Sequence, residues 1–554
     1  MTDRRPSWPT LALLAALVVS LAAKLAVLDV GAPFISIDDR TTFEGGFLVW
    51  FGHAPPQRMY LECWMAGALS VANYAFRVLT HATSGGLGLN IVADAYRDYY
   101  LAPDSYARVY RLFVIAVDLL AAGLAWRLAR LALGTAWRGW AAVLPPAMFL
   151  LTYNTVWADI VARPDAMLPL FMVAGLLMYY RSDFGRRQGW LLGAGFMLGL
   201  GAGLKLHLAF AVILLLGDLV RVHGLRTAVR LGWAFALLSL LAFAVSAGIP
   251  LFDPLKYVKL RVTNAKDDAS PWIKWGEQFI TMLRGGGWLA LPLALGAVLH
   301  RGGASFRRAN PVAASLVFQA AGWLVLFGAI RQLRAYWMLP ALPLFYIAAI
   351  GFLVALAVRR PSWSRAAVAT AAACVVILSV QSVREVNLLR GSAQNGLRAW
   401  ITANVGHDEP FFVFGYDGLV LPRGTHCLAT IAAGIERGLV QDRAEGQSFT
   451  SRHLKNWEEQ NELRLQDLLG GRCDAGWEYY SYYSTPLERY ADLVDMSTMR
   501  YIMVEERFDN PPDFPLAQYL AADFTQVAET VGAGGRGYGL KYRIFERRDG
   551  DGRP

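Results

Sequence analysis

The amino-acid sequence predicts a polytopic α-helical membrane protein that carries a soluble α/β domain at its C-terminal end. Of the 554 residues, 55% are hydrophobic and only 17% are charged, whereas soluble domains average about 25% charged residues. Apolar runs long enough to cross a bilayer recur up to about residue 382. The rest of the chain alternates short apolar runs with polar stretches, which is typical of a soluble α/β fold.

The apolar runs, taken in order, predict about eleven membrane spans. The first run is about 20 residues long, which exceeds the apolar region of a signal peptide and favours a retained span. Lys24, near the outer end of this span, is expected to reach the headgroups by snorkelling. We place the spans at residues 10–31, 106–127, 139–157, 165–181, 189–205, 207–221, 231–249, 286–300, 312–330, 337–357 and 365–382.

Clusters of arginine set the orientation of these spans. Because cytoplasmic loops are enriched in Lys and Arg, clusters before the first span and after every even-numbered span predict a cytoplasmic N-terminus. The net charge of +10 then belongs to loops that meet anionic lipid headgroups, and no basic stripe on a soluble fold indicates a nucleic-acid partner. The clusters are Arg4 and Arg5; Arg127, Arg130 and Arg138; Arg181, Arg186 and Arg187; Arg221, Arg226 and Arg230; Arg301, Arg307 and Arg308; and Arg359, Arg360 and Arg365.

This orientation divides the chain into a transmembrane module at residues 1–382 and an external domain at residues 383–554. The first outer loop, at 31–105, and the fourth, at 250–285, then face the same compartment as that domain. The Ala-, Leu-, Arg- and Gly-rich usage favours a bacterial inner membrane, so the external domain is expected to be periplasmic.

The first outer loop contains an apolar run, PPQRMYLECWMAGALSVANYAFRVLT, that we do not interpret as a span. As a span, it would place every later arginine cluster on the wrong side of the membrane. We therefore expect helices that lie in the outer interface, with Trp64 and Tyr74 at the level of the headgroups.

The external domain contains three predicted strands, in FFVFGY, RYIMVEERF and YRIFERR. Cys427 and Cys473 fall in the same domain. The sequence leaves open whether an exported domain joins them in a disulfide.

Two adjacent carboxylates, Asp38 and Asp39, follow the first span in FISIDDRTTF. One interpretation is a helix end where acids simply meet water. Carboxylates at a helix C-terminus oppose the helix dipole, however, so they do not serve as caps there. The other interpretation is a general base or a metal ligand at the membrane surface.

Further charged residues are predicted on the same outer side. In YNTVWADIVARPDAMLPLF they lie between two spans, and in GLGAGLKLH and AIRQLRAYWMLPALP they lie at the ends of spans. Surface ion pairs and a packed histidine are the alternatives to binding residues. The positive-inside rule does not place arginines such as Arg331 and Arg334 on the outer side of the membrane. Their presence there favours an anionic binding partner. The candidates are Asp159, Arg163, Asp165, Lys205, His207, Arg331 and Arg334, together with Lys256 and Arg261 of the fourth outer loop.

Acids and cations at the bilayer edge indicate chemistry on a lipid-linked phosphate. Glycoside hydrolysis needs a second carboxylic acid to protonate a poor leaving group. A phosphate leaves as a stable anion, so one base and a few cations suffice. The residues therefore favour glycosyl transfer over hydrolysis.

These motifs, in this order and on this side, resemble the GT-C superfamily of integral-membrane glycosyltransferases. The likeness runs from about Leu11 to Leu356 and is strongest to the protein-mannosyltransferase and aminoarabinose-transferase branch. It rests on the acidic pair after the first span, the long first loop, RPDAMLPLF, the glycine-rich span ending GLKLH, and RQLRAYWMLPALPLFY.

The resemblance implies a polyprenyl-phosphate sugar donor, inversion at the anomeric carbon and a lipid, glycan or protein acceptor. It implies Asp38 or Asp39 as the base, Asp165 as an acid of the second outer loop, and Lys205 with Arg331 or Arg334 at the donor phosphate. Asp-Asp stands where much of the branch has Asp-Glu. The same pair occurs in lipid-linked arabinofuranose transferases of the superfamily, so the sugar stays open.

Other functions predict other features of the sequence. A transporter or flippase of lipid-linked sugars would place charges deep within the spans and show matching halves, whereas the sequence places acids and cations at span ends. If the protein were a non-catalytic scaffold whose external domain binds a partner, replacing Asp38 by Asn would leave sugar transfer undiminished. No His or carboxylate cage requires a metal, and a divalent cation at Asp38 and Asp39 is left open.

Overall fold

The computed structural model describes residues 8–28, 37–50, 60–83, 86–88, 91–134, 140–160, 164–248, 271–329, 335–414, 421, 479–481, 496–506, 516–532 and 541–548. Most of this part of the chain is α-helical. The helices are α1 (Trp8–Leu25), α2 (Ile37–Trp50), α3 (Tyr60–Leu79), α4 (Ile91–Leu101), α5 (Pro103–Leu133), α6 (Trp140–Leu150), α7 (Tyr153–Ile160), α8 (Leu168–Arg181), α9 (Gln188–Leu204), α10 (Ala209–His223), α11 (Leu225–Ser246), α12 (Pro271–Gly286), α13 (Ala290–Leu299), α14 (Arg301–Ala309), α15 (Pro311–Ala329), α16 (Leu342–Arg359), α17 (Ser364–Arg390), α18 (Ala393–Asn404) and α19 (Leu516–Asp523).

Every predicted span coincides with at least one of these helices. By length and composition, 6 helices of the described chain are suited to cross a membrane. The count rises to 7 if the bent pair Glu277–Gly286 and Ala290–Leu299, with an angle of 108° between its halves, is one span. The structure therefore has the helices of a membrane protein, and the number of eleven spans stays a prediction.

Glycines at every fourth position bring α9 against α11. A Cβ on Gly195 would lie 2.7 Å from the carbonyl oxygen of Phe235. A Cβ on Gly199 or Gly203 would collide with Ser239 or Ser246 of α11. Small residues on one face let helices approach closely in a membrane, where packing rather than burial drives their association. This crossing fixes the helix that ends at Lys205.

A second close crossing holds α2, the helix that carries Asp38 and Asp39, on α3. A Cβ on Gly46 would lie 2.6 Å from the backbone nitrogen of Gly67, and a Cβ on Gly67 would lie 2.5 Å from the carbonyl oxygen of Gly46. The hydroxyl of Thr42 also donates to Glu62, at 2.9 Å. The helix α3 in turn contacts α5 and α9.

The outer-loop helix α3 differs in one respect from its prediction. Trp64 is 44% exposed, as expected for an interfacial residue, but Tyr74 is only 1% exposed. The Tyr74 hydroxyl donates to the carbonyl oxygen of Gly86 at 3.0 Å. Tyr74 therefore packs inside the protein, where its polar tip finds a partner, and does not present its ring to the headgroups. The depth of α3 in the membrane stays a prediction.

A buried ion pair joins α1 to the middle of α5. The Lys24 ammonium lies 2.7 Å from Asp118, and the two side chains are 0% and 2% exposed. Lys24 therefore does not snorkel, and the expectation that charges lie only at span ends is wrong for this pair. Each charge neutralises the other, and that is the condition for burying either one.

The C-terminal part forms a five-stranded sheet in the order β2-β1-β3-β5-β4. The strand β1 is parallel to β2 and β3, whereas β5 is antiparallel to β3 and β4. All three predicted strands are present, as β1, β3 and β5; the domain boundary at residue 383 stays a prediction, and Cys427 and Cys473 lie outside the described residues. The strands are β1 (Phe411–Phe414), β2 (Tyr479–Ser481), β3 (Tyr501–Glu505), β4 (Phe524–Val531) and β5 (Lys541–Arg547).

Two connections link this sheet to the helices. The helix α17 has 27 residues and is thus about 40 Å long, more than the roughly 30 Å of bilayer hydrocarbon. It leads into α18, which packs on β4 and β5. From α18, Arg398 reaches back to Asp104 at the start of α5, with both guanidinium nitrogens on the carboxylate.

The crossing of α2 and α3 predicts a large effect of one methyl group. We expect Gly67→Ala to lower the unfolding free energy by about 1–3 kcal/mol, the usual cost of overpacking, because its Cβ meets backbone that cannot rotate away. Thermal unfolding in detergent measures this. Gly123→Ala, on the open face of α5 where a Cβ meets nothing within 4 Å, is the matched control. Equal stability of the two variants would contradict the crossing.

Candidate functional site

Three 3₁₀ turns at helix ends meet in one place. They are Pro164–Met167 before α8, Leu206–Leu208 between α9 and α10, and Ala335–Ala341 before α16. The first turn contacts both α9 and the third turn. Pro164, which has no backbone N–H, begins the first turn at a position where a helix would leave that donor unused.

The first two turns are joined by an ion pair between Lys205 and Asp165. The Lys205 ammonium donates to Oδ2 of Asp165 at 2.8 Å, and the side chains are 24% and 0% exposed. Lys205 has extended backbone, with φ −151° and ψ 117°, so α9 ends there. An ammonium has three donors, and its partial exposure leaves it accessible to a further anionic group.

Aromatic side chains of the third turn cover the second turn. The Lys205 ammonium lies 5.7 Å from the centre of the Tyr336 ring, within the range of a cation–π contact. The His207 ring stacks on Trp337 at 6.2 Å and 23°, and it meets Trp323 of α15 edge-on at 6.2 Å. Tyr336 and Trp337 are thus held against the segment LKLH.

Asn154 of α7 fixes the third turn from its other side. Its Nδ2 donates to the carbonyl oxygen of Gly285, at 2.9 Å, and to that of Ala335, at 3.1 Å. One side chain therefore ties the end of α12 to the start of the third turn. It satisfies backbone acceptors that helix ends otherwise leave free.

Several buried polar atoms around these turns have no hydrogen-bond partner in the described part of the chain. They lie on the Asp165 carboxylate, on the His207 ring and on the two indole rings that contact it. Both polar atoms of the Gln319 amide in α15 also have no partner there. A buried polar group without a partner costs about 1–3 kcal/mol. The atoms are Asp165 Oδ1, His207 Nε2, Trp323 Nε1, Trp337 Nε1, and Gln319 Oε1 and Nε2.

The structure brings together three of the predicted site residues: Asp165, Lys205 and His207. The backbones of Asp38 and Asp39 lie in the first turn of α2, and that of Asp159 lies in α7, but their side chains are outside the described set. Arg163, Lys256, Arg261, Arg331 and Arg334 also lie outside the described residues. Their roles stay predictions.

Sequence reasoning missed Asn154, Gln319 and the aromatic pair Tyr336 and Trp337. The aromatic pair was visible as the two residues after RQLRA. Gln319 was visible as an amide side chain in the middle of the apolar run SLVFQAAGWLVLF, a position where polar groups are expensive and usually functional.

The described side chains contain no group of three or more His, Cys, Asp or Glu placed to hold a metal ion. Asp38 and Asp39 are not among those side chains. A divalent cation at that pair therefore stays a prediction of the sequence.

No family model and no curated protein matches this chain. Among solved structures, the chain is similar to ArnT from Cupriavidus metallidurans in the apo state, with 14% identity, a TM-score of 0.48, and coverage of 97% of this chain and 98% of ArnT. ArnT bound to undecaprenyl phosphate gives the same values. The oligosaccharyltransferase from Archaeoglobus fulgidus, in complex with Zn and sulfate, has 12% identity, a TM-score of 0.42, and coverage of 92% of this chain and 69% of its own. The function proposed below rests on this chain's own side chains.

Proposed function

We propose that the protein is a membrane glycosyltransferase that uses a polyprenyl-phosphate sugar donor at the outer face of a bacterial inner membrane. The observation that carries this proposal is the Lys205–Asp165 pair. It holds an accessible ammonium at the end of an apolar helix, beside aromatic rings and next to a segment with two further arginines. A lipid phosphate carrying a sugar matches that combination of charge, aromatic surface and apolar surroundings.

In the proposed reaction an acceptor hydroxyl attacks the anomeric carbon of the sugar. The bond from that carbon to the phosphate oxygen breaks, and its electron pair leaves with the polyprenyl phosphate. The hydroxyl proton passes to the carboxylate of Asp38 or Asp39. Attack from the side opposite the phosphate inverts the anomeric configuration. The acceptor is a lipid, a glycan or a protein.

The cations act on the leaving group. Lys205 uses one donor for Asp165 and keeps two for phosphate oxygens, and the carboxylate of Asp165 fixes the ammonium in position. Arg331 and Arg334 are proposed to bind the same phosphate, because a guanidinium matches its geometry with two parallel hydrogen bonds. Charge that builds up on the phosphate in the transition state is thereby stabilised.

Transport of a lipid-linked sugar is the second candidate. It is favoured by one observation, the Lys24–Asp118 pair within two helices of the module. Lys24 and Asp118 each neutralise the other and join α1 to α5, which also fits a static anchor. The two functions differ in outcome, since a transporter leaves the sugar–phosphate bond intact and a transferase breaks it.

Loss of the base should abolish turnover and spare donor binding. For the residue that acts as base, Asp38→Asn or Asp39→Asn should lower kcat about a hundred- to ten-thousand-fold while donor affinity changes little, because the base acts in the transition state. Single-turnover assays on reconstituted protein measure both. Asp183→Asn, in an exposed pair with Arg186, is the control. Normal turnover in both variants would refute the assignment.

Loss of Lys205 should affect both stability and donor binding. Lys205→Met leaves a buried carboxylate unpaired, at a cost of about 2 kcal/mol, below that of a fully buried pair because Lys205 is 24% exposed. The double variant Lys205→Met with Asp165→Asn should recover stability but not the affinity for polyprenyl phosphate. If the double variant binds that lipid like the unaltered protein, Lys205 is a structural residue only.

The external position of the C-terminal sheet follows from the arginine clusters and is open to test. Alkaline phosphatase fused after Gly391, beyond α17, should be active because the enzyme folds only after export. A fusion after Arg360, at the other end of α17, should be inactive. The reverse pattern would place the proposed site on the cytoplasmic face.

A further inference from the structure

Four polar atoms without a partner among the described residues lie on Asp165, His207, Trp323 and Trp337, next to Lys205. The Lys205 ammonium lies 2.8 Å from the Asp165 carboxylate, and His207 belongs to the 3₁₀ turn that follows Lys205. The His207 ring in turn contacts Trp337 on its face and Trp323 at its edge. Each of these side chains except Lys205 has a buried polar atom without a partner.

Ser315, Gln319 and Trp323 form a stripe of polar side chains along α15. Its first member shows that the bundle can satisfy a buried polar group. Ser315, two turns before Trp323 on the same face, donates to Asp218 at 2.6 Å and shares a hydrogen bond with Tyr180 at 3.0 Å. Arg221 also donates to Asp218, at 2.7 Å. Ser315 thus has its partners, whereas Gln319 and Trp323, further along the stripe, have polar atoms with no partner in the described part of the chain. The missing partners therefore mark the end of the bundle where a ligand is expected.

The unpartnered atoms have a definite chemical preference. The indole nitrogens of Trp323 and Trp337 can only donate, Asp165 Oδ1 can only accept when ionised, and His207 Nε2 does either according to its tautomer. A hydroxyl group is both donor and acceptor, so it pairs with any of these atoms. Neighbouring hydroxyls on a ring satisfy several of them at once.

A cationic group does not suit the same surface. Its carboxylate, Asp165, is already neutralised by Lys205 at 2.8 Å, and the partly exposed ammonium of Lys205 repels a second cation. The two indole N–H groups offer no acceptor. An ammonium here would find acceptors only at Asp165 Oδ1 and, in one tautomer, at His207 Nε2, beside the positive charge of Lys205. That return is small against the cost of leaving water.

We propose that these atoms bind the hydroxyl groups of the transferred sugar, and that this sugar is uncharged rather than an aminosugar. The inference rests on the proposed function and deepens it. The stacked rings of Trp337 and His207 provide an aromatic wall for the apolar face of the sugar ring, as in other pockets where aromatic walls surround a few convergent polar groups. Both residues are partly exposed, so small rotations of their rings bring the indole and imidazole edges to the ligand.

The test compares three lipids on the reconstituted protein: undecaprenyl phosphate alone, the same lipid carrying a neutral hexose, and the same lipid carrying an aminohexose. The unaltered protein should bind the neutral form at least about tenfold more tightly than the amino form. Trp337→Phe keeps a ring but removes the N–H donor. It should weaken binding of the neutral form about tenfold, the effect of one buried hydrogen bond, and leave the bare lipid unchanged. Trp363→Phe, at an exposed tryptophan near Arg360, is the control.

The outcomes separate the two proposals. If the unaltered protein binds none of the three lipids, the proposed function is wrong. If it binds the bare lipid but Trp337→Phe leaves the sugar-bearing lipid unaffected, or weakens both lipids equally, the sugar surface is refuted while the transferase proposal stands. Binding of the aminohexose form as tight as that of the neutral form would overturn the inferred sugar class.

Discussion

The Lys205–Asp165 ion pair is the interaction on which the candidate site depends. Neither charge could stay ionised alone at the end of an apolar helix, because the cost of leaving water is several kcal/mol for each ion. Together, at 2.8 Å, they are stable there and keep one donor-rich group accessible. The pair requires α9 to end at Leu204 and the chain before α8 to form a tight turn. The site is therefore built where regular helix gives way to 3₁₀ geometry.

Glycines position the helix that carries Lys205. Two ions in a hydrogen bond tolerate displacements of only a few tenths of an ångström, and helices in lipid lack a strong hydrophobic force to hold them. Close backbone contact of α9 with α11 at Gly195 and Gly199 holds the two helices together by van der Waals packing instead. The crossing of α2 and α3 at Gly46 and Gly67 does the same for the helix with the acidic pair. Apolar composition explains why these helices enter a membrane, and the small residues explain how they are positioned in it.

The sequence predicted the helices well because hydrophobic length is a local property. It also predicted the strands in FFVFGY, RYIMVEERF and YRIFERR, and it selected Asp165, Lys205 and His207 from two separate segments. The sequence did not predict which side chains contact each other across helices. Whether Lys24 reaches headgroups or a carboxylate depends on which helix stands beside it, and only the arrangement of α1 and α5 decides that. Tyr74 was misplaced for the same reason, since its hydroxyl bonds to a loop carbonyl that no periodicity reveals.

The contact between Arg398 and Asp104, 294 positions apart in the chain, bears on how the outer sheet moves. A sheet mounted on α17 alone would swivel about that stalk, because a single helix resists bending better than rotation at its junctions. The guanidinium–carboxylate fork adds a second point of attachment beside the start of α5, and two points define an axis. Among the described residues, this second attachment restrains rotation of the sheet about α17. The contact consequently favours one orientation of the sheet relative to the start of α5.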